Sequence, residues 1–512
     1  MIRLTGAQLV VRLLERQGVR VVTGTPGGAD SPLRAAFARS PAIRYVPARH
    51  ERGAGFIAQG LARVSGRPAV CLASSGPAAD SLAAVLAAAR LDAIPLICMT
   101  EGADLDGASA PTKHAFRARA ARELLEIVPA AFRIAASGRP GPVLLDIPVE
   151  VQAEIAAFAV WPAPGEPQSA PAPEPAAVTA AAALIDRARR PLLYLGGDVV
   201  HGGASGMAQR LAEKAGLPTV MTLAALGALP AGHPQALGVA DAQVERTLAE
   251  CDLLIMVGAR FDARADARPE AAAVGARIIR IDIEPDRGER AALTIGGDLG
   301  SVLAALLPQV TETPRGAWQR RVAALKARQA RGDHDPRTLC GLVRAVAALA
   351  GERAIIAADL DRQRSLVAQA YPLRRPRRWL SGHGTVGFGL PAAIGAALAD
   401  PAAPVICFCD ESGLLLNLQE LATAAEQRVN LKVVLCGERA SDGGWRSPFG
   451  GQEPSVGGVD FCRIAAGFGF EIADLGASGH PRALLAPALN QAGPCLIRAP
   501  VRSTEYAVSL AS

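Results

Sequence analysis

Short apolar runs alternate with longer Ala- and Leu-rich stretches along almost the whole chain. In the first third, the runs VRVVTG (19–24) and AVCLA (69–73) are each followed by a segment rich in Gly, Pro or Ser, and the similar run PVLLDIP (142–148) ends in Pro. Stretches between them, such as 78–90, have the composition of helices. Continuous apolar strands joined by helices are typical of parallel sheets covered on both faces. The pattern predicts an α/β fold with doubly wound parallel sheets.

This alternation occurs three times, and two stretches interrupt it. Residues 161–177 are rich in Pro, Ala and Glu without an apolar period, and residues 311–336 are charged, partly helical and end at a Pro. Both compositions indicate linkers. We therefore expect three domains, at 1–160, 178–310 and 337–512. In doubly wound domains ligands bind at the carboxyl ends of the strands, so we expect the chemistry in the turns that follow them.

Composition and charge argue against several classes of protein. Hydrophobic residues make up 50% of the chain, which allows large cores and argues against global disorder. The net charge of +6 is spread over 512 residues without a polybasic segment, so no nucleic-acid partner is indicated. No signal peptide and no run of about 18 uncharged apolar residues is found, which predicts no membrane span. The nine cysteines are scattered without a C-x-x-C pair, which predicts free thiols and a cytoplasmic location.

The turns lack the common phosphate-binding fingerprints. Neither G-x-G-x-x-G nor a P-loop occurs, and no H-E-x-x-H or Cys/His cluster is present. This argues against an NAD- or FAD-dependent oxidoreductase of the plain dinucleotide-binding type. The Gly-rich segment GFGLPAAIG (387–395) opens a helix, but by itself such a segment is explained by packing.

Longer motifs carry a specific resemblance. The segment RHERGAGFIAQGLARVSGRPAVCLASSGPAAD (49–80) resembles the pyrimidine-binding domain of thiamine diphosphate enzymes of the acetolactate synthase family. RPRRWLSGHGTVGFGLPAAIGAAL (375–398) and NLQELATAAEQRVNLKVVL (417–435) are similar to the family's diphosphate-binding domain, and DLLIMVGARFDAR (252–264) is similar to its central domain. The resemblance covers nearly the whole chain in collinear order. It implies the family's three-domain fold, a 2-oxo acid substrate, and an enzyme that combines decarboxylation with carboligation.

The resemblance assigns the main catalytic role to Glu51. In the family, a glutamate at this place bonds a ring nitrogen of the cofactor's aminopyrimidine, which promotes removal of the thiazolium proton. The alternative is a surface carboxylate at a helix start, favoured by the helix dipole. By the same analogy Glu51 serves a cofactor bound by a second subunit, which implies a homodimer or tetramer with the site at the interface. The other cofactor contacts that the resemblance implies are Gly27, Gly76, Pro77, Arg362, Gln363, Gly384, Val386, Gly387, Ser412, Gly413 and Leu416.

The chain departs from the family where the family holds its metal. The family carries G-D-G-S and, some two dozen residues later, two adjacent asparagines; here 410–413 read DESG and 437–438 read GE. In this register the implied Mg²⁺ ligands are Glu411, Glu438 and Ala440. A second carboxylate beside a diphosphate costs on the order of 4 kcal/mol at ~4 Å and an effective dielectric of ~20. A divalent ion would offset much of this cost.

An alternative register and a second hypothesis stay open. A shift by one residue would make Asp410 the metal aspartate, but it would break the match at NLQEL. In addition, Asp361-Arg362-Gln363 replaces a Gln-His pair that contacts phosphate in the family, and Val386 stands where a Met often supports the bent cofactor. These changes motivate the alternative that the chain has lost thiamine diphosphate catalysis and acts as a partner protein or binds another ligand.

Two further departures concern the substrate loop and a flavin. The segment between 100 and 116 is shorter than in the family, and Lys113 or His114 either replaces a polar group of the site or is a solvated loop residue. The acetolactate synthase branch also binds FAD in its central domain. GARFD is present at 258–262, but 237–241 lack the Met-His-Gly turn, so FAD is only an alternative expectation.

Overall fold

The computed structural model describes residues 1–26, 31–73, 81–102, 111–168, 170–259, 273–284, 291–330, 334–360, 363–382, 385–439, 445–446, 459–477 and 481–501. Within these ranges the chain forms three parallel β-sheets whose strands are connected by helices. This confirms the α/β architecture with three doubly wound sheets that the sequence predicts.

The first sheet is formed by residues between Val21 and Asp146. The elements of this part are β1 (Ile2–Thr5), α1 (Gly6–Arg16), β2 (Val21–Gly24), α2 (Pro32–Ala38), β3 (Arg44–Pro47), α3 (Glu51–Ser65), β4 (Ala69–Leu72), α4 (Ala83–Leu91), β5 (Leu96–Thr100), β6 (His114–Arg117), α5 (Leu124–Ala136), β7 (Pro142–Asp146), α6 (Val149–Ala153) and β8 (Ile155–Phe158). The parallel strand order is β3-β2-β4-β5-β7-β6, and β1 pairs with β8 in an antiparallel ribbon.

The second sheet is formed by the central part of the chain. Its elements are α7 (Pro175–Arg187), β9 (Pro191–Leu195), α8 (Gly197–His201), α9 (Ser205–Lys214), β10 (Thr219–Met221), β11 (Ala236–Gly238), α10 (Ala242–Glu250), β12 (Leu253–Val257), β13 (Arg277–Asp282), β14 (Leu293–Gly296), α11 (Leu299–Leu306) and α12 (Gly316–Ala330). The strands follow the order β11-β10-β9-β12-β13-β14, all parallel.

Helix α12 lies within the stretch 311–336, which the sequence indicates to be a linker. Trp318 of this helix is 5% exposed, and its indole nitrogen donates to the carbonyl oxygen of Pro191 at 2.9 Å. Arg315, just before the helix, is equally buried and donates to the carbonyl oxygens of Ala188 and Ile185. At least the residues from Arg315 through α12 therefore pack on the central sheet instead of forming an extended connection.

The third sheet is formed by the last part of the chain. Its elements are α13 (Leu339–Ala350), β15 (Ile355–Asp359), α14 (Arg364–Ala370), β16 (Trp379–Leu380), α15 (Gly389–Ala399), β17 (Val405–Cys409), α16 (Glu411–Leu415), α17 (Glu420–Glu426), β18 (Leu431–Arg439), β19 (Trp445–Arg446), α18 (Phe461–Gly467), β20 (Glu471–Asp474), α19 (Pro481–Asn490) and β21 (Cys495–Pro500). The parallel order is β16-β15-β17-β18-β21-β20, and β19 pairs antiparallel with β18.

Each sheet has a point where the strand order reverses, and such points form the ligand crevices of open α/β sheets. In the first sheet this point lies between β2 and β4, and in the third sheet it lies between β15 and β17. The residues just after these strands include Thr25 in the first sheet and Asp410 and Glu411 in the third. The reversal points therefore coincide with the turns in which the sequence predicts ligand binding and catalysis.

Helices α3 and α15 join the first and third sheets through a close contact. A side chain at Gly60 would place its Cβ 2.1 Å from the carbonyl oxygen of Ala392, and one at Gly395 would place it 1.9 Å from that of Ile57. Only glycine permits this approach, since real Cβ atoms do not come so near a backbone oxygen. Phe56 and Phe388 complete the interface as an edge-to-face pair with centroids 5.4 Å apart. One hydrophobic core therefore spans both domains.

Among the described residues, no helix combines the length and the apolar character that a membrane crossing needs. All nine cysteines are free, and most of them are buried in the sheets.

Candidate active site

Glu51 is the first residue of α3 and is oriented by a neighbouring strand. His50 caps the helix, and its Nδ1 accepts the backbone N–H of Arg52 at 3.1 Å. The hydroxyl of Thr25, which follows β2, donates to Oε1 of Glu51 at 3.1 Å. The Glu51 side chain is 16% exposed, so its carboxylate is enclosed and does not project freely into solvent.

Thr25 is itself held by two side chains of the first domain. The hydroxyl of Tyr45 donates to the carbonyl oxygen of Thr25 at 2.7 Å, and Nε of Arg34 donates to the same oxygen at 3.2 Å. Burial is the largest cause that raises the pKa of Tyr45, so its phenol stays neutral and able to donate. The donor to Glu51 is therefore fixed before any ligand arrives.

Glu51 lies beside the third domain of the same chain. The guanidinium of Arg52 donates to the carbonyl oxygen of Val386 at 2.8 Å. The backbone N–H of Arg49 donates to the carboxylate of Glu420 at 3.1 Å. These contacts bring the start of α3 to the Gly-rich turn that precedes α15.

That turn is shaped by two glycines and a buried carboxylate. Gly387 has a φ of +84°, which L side chains rarely adopt, and a Cβ there would lie 2.7 Å from that of Leu416. Asp359, at the end of β15, accepts the backbone N–H groups of Gly387 and Gly389 at 3.3 and 2.9 Å. The amide of Asn417 donates to the carbonyl oxygen of Gly387 at 2.5 Å. The turns after β16 and β17 are thus packed together.

Three buried carboxyl groups meet where the third sheet reverses its order: Asp359, Asp410 and Glu411, each less than 8% exposed. Burial, together with the charge of Asp410, raises the pKa of Asp359 to about 6. The same two causes raise the pKa of Glu411. The site is therefore acidic and desolvated, and a cation bound there would be stabilised.

Only part of this carboxylate set is free to bind a ligand. Asp410 caps α16 by accepting the backbone N–H of Gly413 at 2.8 Å. Asp359 is engaged by the two glycine N–H groups. Oε1 of Glu411, in contrast, is buried and has no hydrogen-bond partner. A buried acceptor without a partner indicates a missing ligand or ion, and a carboxylate oxygen is a donor that Mg²⁺ prefers.

A complete metal cage is not present among the described residues, since no group of three or more His, Cys, Asp or Glu is placed to hold an ion. The backbone of Glu438 lies in β18, opposite Arg446 of β19. The Glu438 side chain lies outside the described part of the structure, as do the predicted site residues Gly27, Gly76, Pro77, Arg362, Gly384 and Ala440.

The remaining predicted residues fall into two groups. Val386 and Leu416 are apolar yet 38% and 48% exposed on either side of Gly387, so they present an open apolar surface. Ser412 and Gly413 lie in α16 beside the orphaned oxygen of Glu411. Gln363 is buried at the start of α14.

Lys113 is held by hydrogen bonds and is not a solvated loop residue. Its ammonium donates to the carbonyl oxygen of Arg139 at 2.9 Å and to that of Ser137. Burial lowers its pKa to about 8, with Arg90 contributing in the same direction. His114 is exposed in β6, the edge strand of the first sheet. Lys113 therefore has a structural role, in binding the turn before β7.

Four residues that the structure adds to the site were not predicted from the sequence: Thr25, Arg52, Asp359 and Glu420. Asp359 is the last residue of β15, and Thr25 directly follows β2. Both strands lie at a reversal point, and this position could have identified the two residues as candidates for the site. Glu420 and Arg52 lie within helices, and their roles depend on contacts between the first and third domains.

Comparison with family models matches three consecutive parts of the chain. Residues 4–122 match the N-terminal TPP binding domain of thiamine pyrophosphate enzymes, residues 178–306 match the central domain, and residues 363–499 match the C-terminal TPP binding domain. The chain belongs to the thiamine pyrophosphate enzyme family. The three matches follow the order of the three sheets.

Similar proteins place the chain more closely within this family. It is 44% identical over 537 residues to the acetolactate synthase isozyme 1 large subunit of Escherichia coli, covering 98% of this chain and 95% of that protein. The isozyme 2 large subunit of the same organism is 33% identical, with 98% and 96% covered. The acetolactate synthase of Mycobacterium bovis is 36% identical, with 85% and 76% covered. The chain is thus an acetolactate synthase-like thiamine pyrophosphate enzyme, as its motifs imply, and the alternative without thiamine diphosphate catalysis is not favoured.

Proposed function

We propose that this protein uses thiamine diphosphate to decarboxylate a 2-oxo acid and to join the remaining fragment to a second carbonyl compound. The observation that carries the proposal is the carboxylate of Glu51, enclosed, bonded by Thr25 and placed beside the Val386 turn. A carboxyl group held in this way suits proton exchange with a ring nitrogen. When bound, thiamine diphosphate supplies the electron sink for the loss of carbon dioxide.

The residues of the chain bind and orient the cofactor and substrate around this group. Glu51 holds a proton at the pyrimidine nitrogen, and Thr25 keeps its carboxylate in the required direction. Val386 and Leu416 provide exposed apolar surface against which a cofactor ring packs. Arg52 fixes the Val386 turn through its carbonyl oxygen. Gly387 keeps that turn in the conformation that only glycine adopts without strain.

We propose that Mg²⁺ binds at the diphosphate end through Glu411. Support comes from the buried, unpartnered Oε1 and from the raised pKa, since a divalent ion would satisfy the oxygen and stabilise its charge. Glu438 and Ala440 remain predicted ligands on sequence grounds. Glu411 is one methylene longer than the aspartate of the family motif, so the ion is expected to lie further from α16.

We do not include FAD in the proposed function, because a buried carboxylate stands after β9, at the reversal point of the central sheet. Asp198 lies in the first turn of α8, after β9 at the reversal point of the second sheet, and is 5% exposed. Its carboxylate pairs with Arg139 of the first domain at 3.8 Å. A phosphate there would face a like charge. Purified protein should therefore lack the visible absorption of a flavin.

We further propose a cytoplasmic homodimer or tetramer with the active site at a subunit interface, where a second subunit completes the site that Glu51 and the Val386 turn begin within one chain. The names of the relatives include large subunits, which supports an assembly of more than one chain. Light scattering after size exclusion would measure the mass. A single-chain mass with full activity would contradict the interface site.

The experiment that tests the function is a turnover assay with a panel of 2-oxo acids in the presence of thiamine diphosphate and Mg²⁺. We expect carbon dioxide release together with a carboligated hydroxy-oxo product. Glu51→Gln should abolish turnover by removing the group that carries the proton, while cofactor binding stays largely intact. Equal turnover of wild type and variant would remove Glu51 from the mechanism.

A further inference from the structure

Glu420 is a fully buried carboxylate that reaches from the third domain into the first. It is the first residue of α17 and is 0% exposed. Its two oxygens accept the backbone N–H of Arg49 at 3.1 and 3.3 Å, and the N–H of His50 also bonds to it. These are the two residues that immediately precede Glu51.

The carboxylate of Glu420 is satisfied by donors from both domains. Besides the two backbone groups, the hydroxyl of Thr423 donates to Oε2 at 2.7 Å. The same hydroxyl lies 3.3 Å from the carbonyl oxygen of Pro47, the last residue of β3. A buried charge is tolerated when several hydrogen bonds compensate it. Glu420 and Thr423 thus hold the whole connection between β3 and α3.

Gly53 also packs directly against the Glu420 carboxylate. A Cβ at this residue would lie 2.1 Å from Oε1 of Glu420 and 2.6 Å from its Cδ. The absence of a side chain at Gly53 lets the first turn of α3 settle directly on the carboxylate. Glu51 therefore lies between two points that contact Glu420, Arg49–His50 before it and Gly53 after it.

We propose that Glu420 is a positioning residue that sets the place of Glu51 relative to the third domain. This inference rests on the proposed function of Glu51 and extends it to a residue that no similarity assigns. The adhesion of the two domains does not depend on Glu420, because α3 and α15 pack over a separate apolar interface. The contacts of Glu420 are concentrated instead on the backbone around Glu51.

The test compares three variants in the full-length protein. Glu420→Gln keeps the size of the side chain but replaces one acceptor oxygen by a donor, which faces the N–H groups of Arg49 and His50. Gly53→Ala places a methyl group against Oε1 of the same carboxylate. Glu426→Gln is the matched control, since it removes the ion pair to Arg49 from the same helix at a side chain that is 49% exposed.

The decisive measurement is the rate of deuterium exchange of the thiazolium proton in bound thiamine diphosphate, followed by acid quench and proton NMR. We expect Glu420→Gln and Gly53→Ala to slow this exchange by roughly 10- to 100-fold per bound cofactor, because a small displacement of an acid–base group is enough to do so. Glu426→Gln should exchange at the wild-type rate. An unchanged rate in Glu420→Gln that binds the cofactor would overturn the proposal.

A second measurement keeps the proposal separable from the proposed function. If wild-type protein binds no thiamine diphosphate, the proposed function fails. Amide hydrogen exchange at Arg49 and His50 then tests separately whether Glu420 holds this segment of the backbone. Protection that is present in wild type and lost in Glu420→Gln supports the positioning contact. Equal protection in both proteins would refute it, whatever the cofactor result.

Discussion

The hydrogen bond from Thr25 to Glu51 can be removed almost without a change of shape. Thr25→Val replaces a hydroxyl by a methyl group and leaves the carbonyl oxygen of residue 25 available to Tyr45 and Arg34. Thr25 is 7% exposed, so little space is available for a water molecule that could replace its hydroxyl group. The variant therefore isolates the contribution of one donor to the orientation of Glu51.

The size of the effect follows from the nature of the bond. A hydrogen bond to an ionised group contributes about 1.5–3 kcal/mol, and 1.36 kcal/mol corresponds to a factor of ten in rate. The carboxylate of Glu51 keeps 16% exposure, so water compensates part of the loss, and we expect the low end of that range. Turnover and thiazolium proton exchange should each fall by roughly 10- to 30-fold. The affinity for thiamine diphosphate should change little.

The assay uses a second threonine as control. Thr23 is 0% exposed in β2 and donates to the carbonyl oxygen of Ala54 in α3 at 2.7 Å, without contacting Glu51. Thr23→Val should lower the melting temperature, because a buried hydrogen bond worth about 1 kcal/mol is lost, but should leave exchange per bound cofactor unchanged. If Thr25→Val exchanges like wild type, or if Thr23→Val slows exchange equally, Thr25 does not act through Glu51.

Three further predictions test other parts of the account. Glu438→Asn should strengthen Mg²⁺-dependent binding of thiamine diphosphate in calorimetry, because it removes a carboxylate near the diphosphate; weaker or unchanged binding would refute the register or the charge argument. Trp318→Ala should lower the free energy of unfolding by about 3–5 kcal/mol in urea, unlike the control Leu349→Ala at an exposed residue; equal small losses would mean that α12 is not packed. The raised pKa of Asp359, about 6, means that its carboxyl holds a proton more tightly in the folded protein, so its contribution to stability falls as the pH rises from about 4 to about 6. Asp359→Asn should flatten the pH dependence of thermal unfolding by about 3 kcal/mol over this window, and parallel profiles would contradict the assignment.

Much of the fold was predictable because strands buried on both faces leave a continuous apolar signal. The same signal did not show that α12 packs on the central sheet, because six of its 15 residues are Gln, Arg or Lys and its packing rests on two buried side chains, Trp318 and Val322. Two buried side chains do not change the average composition of such a helix, so a compositional argument gives a linker there.

A candidate site can be predicted where one segment of chain carries a motif. Glu51 is such a prediction, because its neighbours in sequence form a recognisable motif. Glu420 could not, because its partners Arg49 and His50 lie some 370 residues away in the chain and are bonded through backbone N–H groups. Asp359 acts in the same way on Gly387 and Gly389, and such contacts leave no pattern in side-chain identity.

Our main proposal is that the chain binds thiamine diphosphate with a divalent metal, with Glu51 at the pyrimidine and Glu411 at the diphosphate. The experiment to test it is calorimetric titration of thiamine diphosphate into metal-stripped protein, with and without Mg²⁺. We expect binding that is tight with Mg²⁺ and much weaker without it, because the buried carboxylates at the end of β15 and β17 oppose an uncompensated diphosphate. No binding under either condition would contradict the proposed function.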